Sequence, residues 1–360
     1  QIGPMYDYAT IDETKLDTKQ YNWGYDPKNY NVPEGSYSSD PYNGATRVSE
    51  VKQMVKSLHD NGVSVVMDVV YNHTYNTSYC FNELVPDYFY RPGSNGSGCG
   101  NDVASERAMV SKFIVDSVVY WAKEYHIDGF RFDLVGLIDI DTIKAIRTEL
   151  DKIDPSIILY GEGWSMTTKL TKSGATLATQ MYVNKLDGFA MFSDTIRDAL
   201  KGSVFTAKEK GYVNGNISNE DVIKKAIQGK TSWSQKGSQN IVYASCHDNM
   251  TLWDEINTSN PDDSMEDKVK QNLLSAAIVY TSQGTPFILA GEEMLRSKPN
   301  SDGTFNSNSY NASDEVNSIK WNTLSDATYQ KVFNYYKGMI TFRKAHASLR
   351  IMDTASSYYK

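Results

Sequence analysis

Short runs of consecutive apolar residues alternate along this chain with longer stretches in which apolar positions recur every three or four residues. The first kind reads as strand buried on both faces and the second as amphipathic helix. Their alternation predicts a parallel α/β architecture. Over Thr46–Asn61, Val48, Val51, Val55 and Leu58 fall on one helical face, and Gly62 is placed to stop the helix. Val63–Val70 (VSVVMDVV) follows as a buried strand. Ser105–His126 predicts a second helix leading into a strand at Ile127–Leu134. Asp141–Lys152 predicts a third, closed by Pro155, before a short strand at Ile157–Gly161. Further strands are predicted at Leu186–Phe189, Ile241–Cys246 and Pro286–Ala290, and further helices at Ser193–Lys201, Met265–Thr281 and Thr328–Lys344.

An opening strand near Ile2–Tyr6 brings the count to seven, whereas a (β/α)8 barrel closes on eight. Either one strand is hidden in the pattern or the first βα unit is missing. Two long polar connections, Asp7–Ala45 and Thr74–Ala104, follow strands at the end where barrel enzymes build their sites, and exceed ordinary loop lengths. The Asn/Ser/Asp-rich stretch Lys298–Ser318 predicts a polar surface loop.

Charge narrows the partners. With 36 basic against 44 acidic side chains in 360 residues the net charge is −8, which argues against nucleic acid or an anionic membrane surface. No apolar run approaches the ~18 residues of a membrane helix, and Ser275 interrupts the best of them, Leu273–Tyr280. No signal-peptide pattern opens the chain. The 25 tyrosines and 6 tryptophans suit either an aromatic core or surfaces that stack on sugar rings. Three cysteines are too few for a disulfide scaffold. Cys80 and Cys99 flank a Gly/Ser-rich loop and could pair or stand as separate thiols, and Cys246 reads as a small core filler.

Polar residues cluster where apolar strands run out. Asn72 and His73 follow Val63–Val70, Asp133 ends Gly129-Phe-Arg-Phe-Asp, Glu162 follows Ile157-Ile-Leu-Tyr-Gly, and His247-Asp248 follow Ile241-Val-Tyr-Ala-Ser-Cys. Any one of these, taken alone, reads more readily as a structural cap. Four such ends in a parallel barrel face one rim and converge on one pocket. Three carboxyls there suit glycoside cleavage, in which a carboxylate attacks and a carboxylic acid protonates the leaving oxygen. Like charges held close keep one of them protonated. Arg131, two residues before Asp133, lies on the same strand face and could hold Asp133 ionised; from spacing alone it is as readily a structural ion pair. Local metal-ligand spacing, a G-x-S-x-G elbow, a P-loop and a dinucleotide fingerprint are all absent.

These segments resemble glycoside hydrolase family 13, the α-amylase family. Asp68-Val-Val-Tyr-Asn-His-Thr, Gly129-Phe-Arg-Phe-Asp-Leu, Tyr160-Gly-Glu-Gly-Trp and Ser245-Cys-His-Asp-Asn are similar to its four conserved regions, in family order. Tyr21-Asn-Trp-Gly-Tyr-Asp-Pro, with Gly161-Glu-Gly-Trp and Gly291-Glu-Glu-Met-Leu-Arg, resembles the type I pullulanase subgroup, which cleaves α-1,6 linkages in pullulan and branched starch. The resemblance implies Asp133 as nucleophile, Glu162 as general acid/base and Asp248 as the residue that binds substrate hydroxyls and stabilises the transition state. It implies Tyr25, Asn72, His73, Arg131 and His247 as contacts at the cleaved sugar, and Trp164 on the leaving-group side. Asp68, Glu292 and Glu293 would be supporting residues.

The implied fold is a TIM (β/α)8 barrel over residues 1–345 that lacks its first βα unit. A loop-rich insertion lies at about 74–104, and a C-terminal β domain begins within 346–360. The expected activity is retaining hydrolysis of α-1,6-glucosidic bonds. The alternatives are an α-1,4-acting member of the family or a non-catalytic α-glucan-binding protein. An α-glucan is the expected partner, with neither nucleic acid nor membrane, for a monomer with no organic cofactor. Some members bind calcium, but no ligand set is legible here. A polymeric substrate favours an extracellular over a cytoplasmic location.

Overall fold

The computed structural model describes residues 1–78, 81–206 and 208–352. Cys80 and residues 353–360 lie outside it, and with them the Cys80–Cys99 question and most of the expected C-terminal β segment. The chain divides into two units, Gln1–Met191 and Phe192–Lys360.

The first unit opens with an antiparallel pair, β1 (Tyr6–Tyr8) and β2 (Pro27–Pro33). Helix α1 (Gly44–Asp60) follows, capped by the Asn43 side chain on Ala45 N–H, and Gly62 ends it in the left-handed region at φ 70°. Then come β3 (Val66–Val69), the short α2 (Phe81–Leu84), α3 (Ala108–Tyr125), β4 (Gly129–Phe132), α4 (Ile140–Asp151), β5 (Ile158–Gly161) and β6 (Phe189–Phe192). Strands β3 to β6 pair in parallel and in sequence order, with Val66 opposite Gly129, Gly129 opposite Ile158, and Leu159 opposite Phe189.

All four residues of β3 and of β4 are buried, so these strands show no alternation of exposure, as in a sheet covered on both faces. Helix α3 buries Val110, Ile114, Val118, Trp121 and Tyr125, and α4 buries Ile143, Ile146 and Leu150, each at helical spacing. Each such apolar side chain is worth about 1.5–3 kcal/mol on burial. This is the winding of a partial TIM barrel.

The second unit contains α5 (Asp194–Lys201), α6 (Glu220–Ile227), β7 (Asn240–Val242), α7 (Leu252–Ser259), α8 (Met265–Thr281), β8 (Thr285–Pro286), α9 (Asp314–Asn317) and α10 (Ala327–Ala345). Strand β7 pairs in parallel with β8. Ile196, Leu200, Ile223, Val242, Leu252, Ile256 and Val279 share one core, and Val269, Tyr280, Val332 and Tyr336 another between α8 and α10.

Several expectations need correction. The opening strand is a single parallel bridge from Ile2 to Met67; Pro4 has no N–H to extend that ladder, and Tyr6–Tyr8 turns to pair with β2, which the sequence had hidden inside a polar connection. The strand expected at Leu186–Phe189 begins at Phe189, because Gly188 at φ 68° breaks the extended chain. The strand expected at Pro286–Ala290 is only Thr285–Pro286, and that at Ile241–Cys246 only Asn240–Val242. The stretch Lys298–Ser318 is not uniformly surface loop: Lys298, Ser309 and Asn317 are buried, and α9 lies within it. Among the described residues no helix is long and apolar enough to cross a membrane.

Candidate active site

The strand ends of the first unit deliver the acidic residues. Asp133 follows β4, and its N–H donates to Val69 O at 2.9 Å; Glu162 follows β5, and its N–H donates to Phe132 O at 3.1 Å. Adjacent parallel strands thus carry the two carboxylates to the same edge. Arg131, on β4, meets three carboxylates at once. Its Nη1 donates to Asp68 Oδ1 at 2.9 Å and to Asp133 Oδ1 at 3.1 Å, and its Nη2 pairs with Glu162 Oε1 at 3.0 Å. A planar guanidinium suits this, because its donors are fixed in direction and its charge is permanent. Arg131 is 2% exposed, Asp133 9% and Glu162 8%, so the acids keep only a narrow opening to solvent. Burial works against the charge of Arg131, but the carboxylates outweigh it and hold the group firmly protonated.

Asp68, on β3, is wholly buried. Tyr25 Oη donates to its Oδ2 at 2.6 Å, and Gln1 Nε2 to the same atom at 3.1 Å. Burial pushes this carboxyl up to about 6, against the pull of Arg131. A raised carboxyl binds its proton more tightly in the folded state. The contribution of this one group to stability is therefore greatest below the ordinary value of 3.8 and falls by about 3 kcal/mol as pH rises from there through 6.

Tyr25 also places its ring 5.6 Å from the Arg131 guanidinium, so the Tyr21–Pro27 loop is fastened to the carboxylate cluster at two points. Asn72 Nδ2 donates to Asp133 Oδ2 at 2.8 Å and to Asp133 O at 2.9 Å. That leaves Asn72 Oδ1 to face His73 Nδ1 at 2.7 Å, while His73 Nε2 faces Tyr25 O at 2.8 Å. Two acceptors favour the imidazolium, but burial dominates and lowers the ring to about 4, leaving it neutral at pH 7.

The turn after Asp133 is strained. Leu134 sits at φ 40°, a left-handed conformation that costs a side-chain-bearing residue about 1–2 kcal/mol. In that position its N–H donates to Glu162 Oε2 at 3.1 Å, so the residue after one acid orients the other. Two residues on, a Cβ at Gly136 would lie 2.0 Å from Trp164 O, so glycine is required for the chain leaving Glu162 to pass. Trp164 itself is half-buried on that passing segment.

In the second unit His247 and Asp248 form their own pair, Nε2 to Oδ2 at 3.3 Å. Their segment is held from beneath. Ser245 Oγ donates to Glu292 Oε2 at 2.5 Å, and Lys298 Nζ donates to His247 O at 2.6 Å. Asp254 accepts from Lys298 N–H at 2.9 Å. Cys246 is half-buried, with its Sγ 3.8 Å from Asp248 O. Away from these residues, Asp7, Glu13 and Glu34 bring carboxylate oxygens within 4.8 Å of one another. Arg47 already pairs with Glu13 there, at 2.5 Å.

The Alpha amylase, catalytic domain family matches residues 76–328. The chain belongs to the α-amylase family. Its relatives include the pullulanase of Bacillus subtilis (strain 168), 40% identical over 99% of this chain and 50% of that protein. Another is pullulanase A of Streptococcus pneumoniae serotype 2 (strain D39 / NCTC 7466), 30% identical over 98% of this chain and 32% of that one. The crystal structure of the Paenibacillus barengoltzii pullulanase in complex with maltohexaose and alpha-cyclodextrin superposes with a TM-score of 0.92. It is 44% identical and covers 98% of this chain and 55% of its own. The chain thus spans about a third to a half of the length of these relatives.

In this α-amylase-family chain the first unit brings Tyr25, Asn72, His73, Arg131, Asp133 and Glu162 into one hydrogen-bonded cluster around Asp68. Trp164 stands on the segment that leaves it, and His247 and Asp248 pair within the second unit. Sequence reasoning missed Gln1, which accepts from Tyr160 Oη at 2.6 Å while donating to Asp68. It also missed Lys298. A single lysine in a polar stretch gives no signal of burial.

Proposed function

We propose that the protein is a retaining glycoside hydrolase that cleaves α-1,6-glucosidic bonds in pullulan and related branched α-glucans. The observation that carries this reading is the single guanidinium of Arg131 bonded to both Asp133 and Glu162. Binding to two ends of one rigid fork keeps the carboxylates neighbours, as retention requires, with nucleophile and acid about 5–5.5 Å apart. Asp133 attacks the anomeric carbon while Glu162 gives its proton to the leaving oxygen. The resulting glycosyl ester at Asp133 is then displaced by water, whose proton returns to Glu162. Two inversions give net retention. Asn72 and Arg131 hold Asp133 ionised and aimed.

The choice of the α-1,6 bond rests on the Tyr21–Pro27 loop, tied to the cluster through Tyr25, and on the pullulanases among the relatives. Asp248, in this reading, binds hydroxyls of the cleaved sugar. The test is reducing-sugar release by the full-length protein from pullulan and from amylose. Maltotriose from pullulan with amylose spared supports the assignment. Preferential cleavage of amylose overturns the linkage, and glucan binding without turnover of either substrate overturns the catalytic reading.

A further inference from the structure

The chain leaving Glu162 runs from 163 to 175 without helix or strand. Its ties go instead to the insertion that precedes α3. Lys169 N–H donates to Ser94 Oγ at 2.9 Å, and Thr171 N–H to Glu106 Oε1 at 2.8 Å. Thr168 Oγ1 donates to Asp102 Oδ2 at 2.7 Å, accepts from Arg91 Nη1 at 3.1 Å, and lies 2.9 Å from Ser94 Oγ.

The groups behind Thr168 are buried. Asp102, with no exposure, also accepts from Ser94 Oγ at 2.6 Å, Gly96 N at 2.7 Å and Ser97 N at 2.8 Å. Arg91 pairs with Glu106 at 2.7 Å and donates to Leu137 O at 2.9 Å. The two backbones meet closely enough that a Cβ at Gly96 would lie 2.6 Å from Thr167 O.

The other side of the insertion is fixed to the carboxylate cluster. Val103 N–H donates to Asn72 O at 2.9 Å, and Asn101 and Thr74 exchange two hydrogen bonds, at 2.7 and 3.0 Å. The insertion therefore spans from the residues that hold Asp133 to the segment that continues from Glu162.

We propose that the Arg91–Asp102–Thr168 clamp positions the leaving-group wall of the cleft, with Thr168 as its central positioning residue, and so sets how well a polymeric leaving group is held. This rests on Glu162 as general acid: the group that protonates the leaving oxygen sits beside the leaving group, and the chain continuing from it borders that group. The hydrogen bonds of Thr168 go to Asp102, Arg91 and Ser94, whereas the glycosyl side is held by Asn72, Arg131 and Asp133. Binding energy from a remote part of a substrate acts on KM and kcat only for substrates that carry that part.

Thr168→Val keeps the shape of the side chain and removes the hydroxyl shared by Asp102 and Arg91. In the full-length protein, kcat/KM for pullulan is expected to fall at least about tenfold, chiefly through KM, as befits the loss of the charge-assisted hydrogen bonds to Asp102 and from Arg91. Maltotriosyl fluoride, whose leaving group is a single atom, should be turned over within about twofold of wild type, because fluoride makes no use of that wall. Thr168→Ser should restore pullulan cleavage. Equal losses on both substrates, or unchanged pullulan kinetics in a folded variant, overturn the clamp. Should Thr168→Val fail to fold, Ser94→Ala removes part of the same node and is read by the same ratio. A wild-type protein inactive on both substrates brings down the reading of Glu162 together with the clamp, whereas equal losses beside an active wild type bring down the clamp alone.

Discussion

Arg131→Met keeps most of the side-chain length and removes the charge on which three carboxylates converge at 2.9 to 3.1 Å. Asp133 and Glu162 retain a path to solvent, but Asp68 does not. Removing one partner of a buried pair costs about 3–5 kcal/mol, mainly because the charge left behind is uncompensated. In a unit of this size that corresponds to a fall on the order of 10 °C in melting temperature. The loss also acquires a pH dependence of known sign. Asp68 lies at about 6 with Arg131 present, and Arg131 is the largest influence pulling it down, so without Arg131 it rises further. Protonation then relieves the variant more fully at pH 5 than at pH 8, and its deficit relative to wild type grows with pH. Thermal unfolding of the full-length wild type and variant, followed by circular dichroism at both pH values, reads this directly. A deficit below about 1 kcal/mol, or one equal at the two pH values, would refute the picture of Arg131 as the compensating charge.

Two further titrations follow from buried groups. Glu292 accepts from Ser245 Oγ and from Tyr336 Oη, and burial pushes its carboxyl up to about 7. The wild type therefore loses roughly 3 kcal/mol from this group as pH climbs through 7. Glu292→Gln should flatten the decline in melting temperature between about pH 4.5 and 7, and an unchanged slope there would rule the group out as its source. His73, lowered to about 4 by burial, costs stability only as pH falls from its ordinary 6.5 towards 4. Its ring should stay neutral down to about pH 5 by NMR titration, and a midpoint above about 6 would contradict the buried environment.

Much of this site was legible because strand ends in a parallel sheet have only one place to go. Gly129-Phe-Arg-Phe-Asp and Ile157-Ile-Leu-Tyr-Gly-Glu each announce a buried strand followed by an acid, and the register of β4 on β5 makes them neighbours. Arg131 was ambiguous at that level because spacing shows the shared face but not the partners; the distances to Asp68, Asp133 and Glu162 show it ion-paired to all three carboxylates.

What the pattern hid were contacts between segments far apart in the chain. Thr168 and Asp102 are 66 positions apart, in two stretches without regular structure, where neither period signals burial. Lys298 and Asp254 are polar residues in polar surroundings, buried with partners distant in sequence: Asp254 accepts from Lys298 N–H, and Lys298 Nζ donates to His247 O. Two expected strands also proved shorter than their patterns. The apolar runs near Ile2 and at Pro286–Ala290 announce them, but ladder pairing holds only the bridge at Ile2 and the two residues of β8.

The most direct measurement is the covalent intermediate itself. The full-length protein would be inactivated with a 5-fluoro-maltotriosyl fluoride, digested, and its peptides sequenced by mass spectrometry, with Asp133→Asn alongside. One glycosylated peptide is expected, with the sugar ester on Asp133, and none from the variant. A sugar on Asp248 or Glu162, or full turnover by Asp133→Asn, would contradict it.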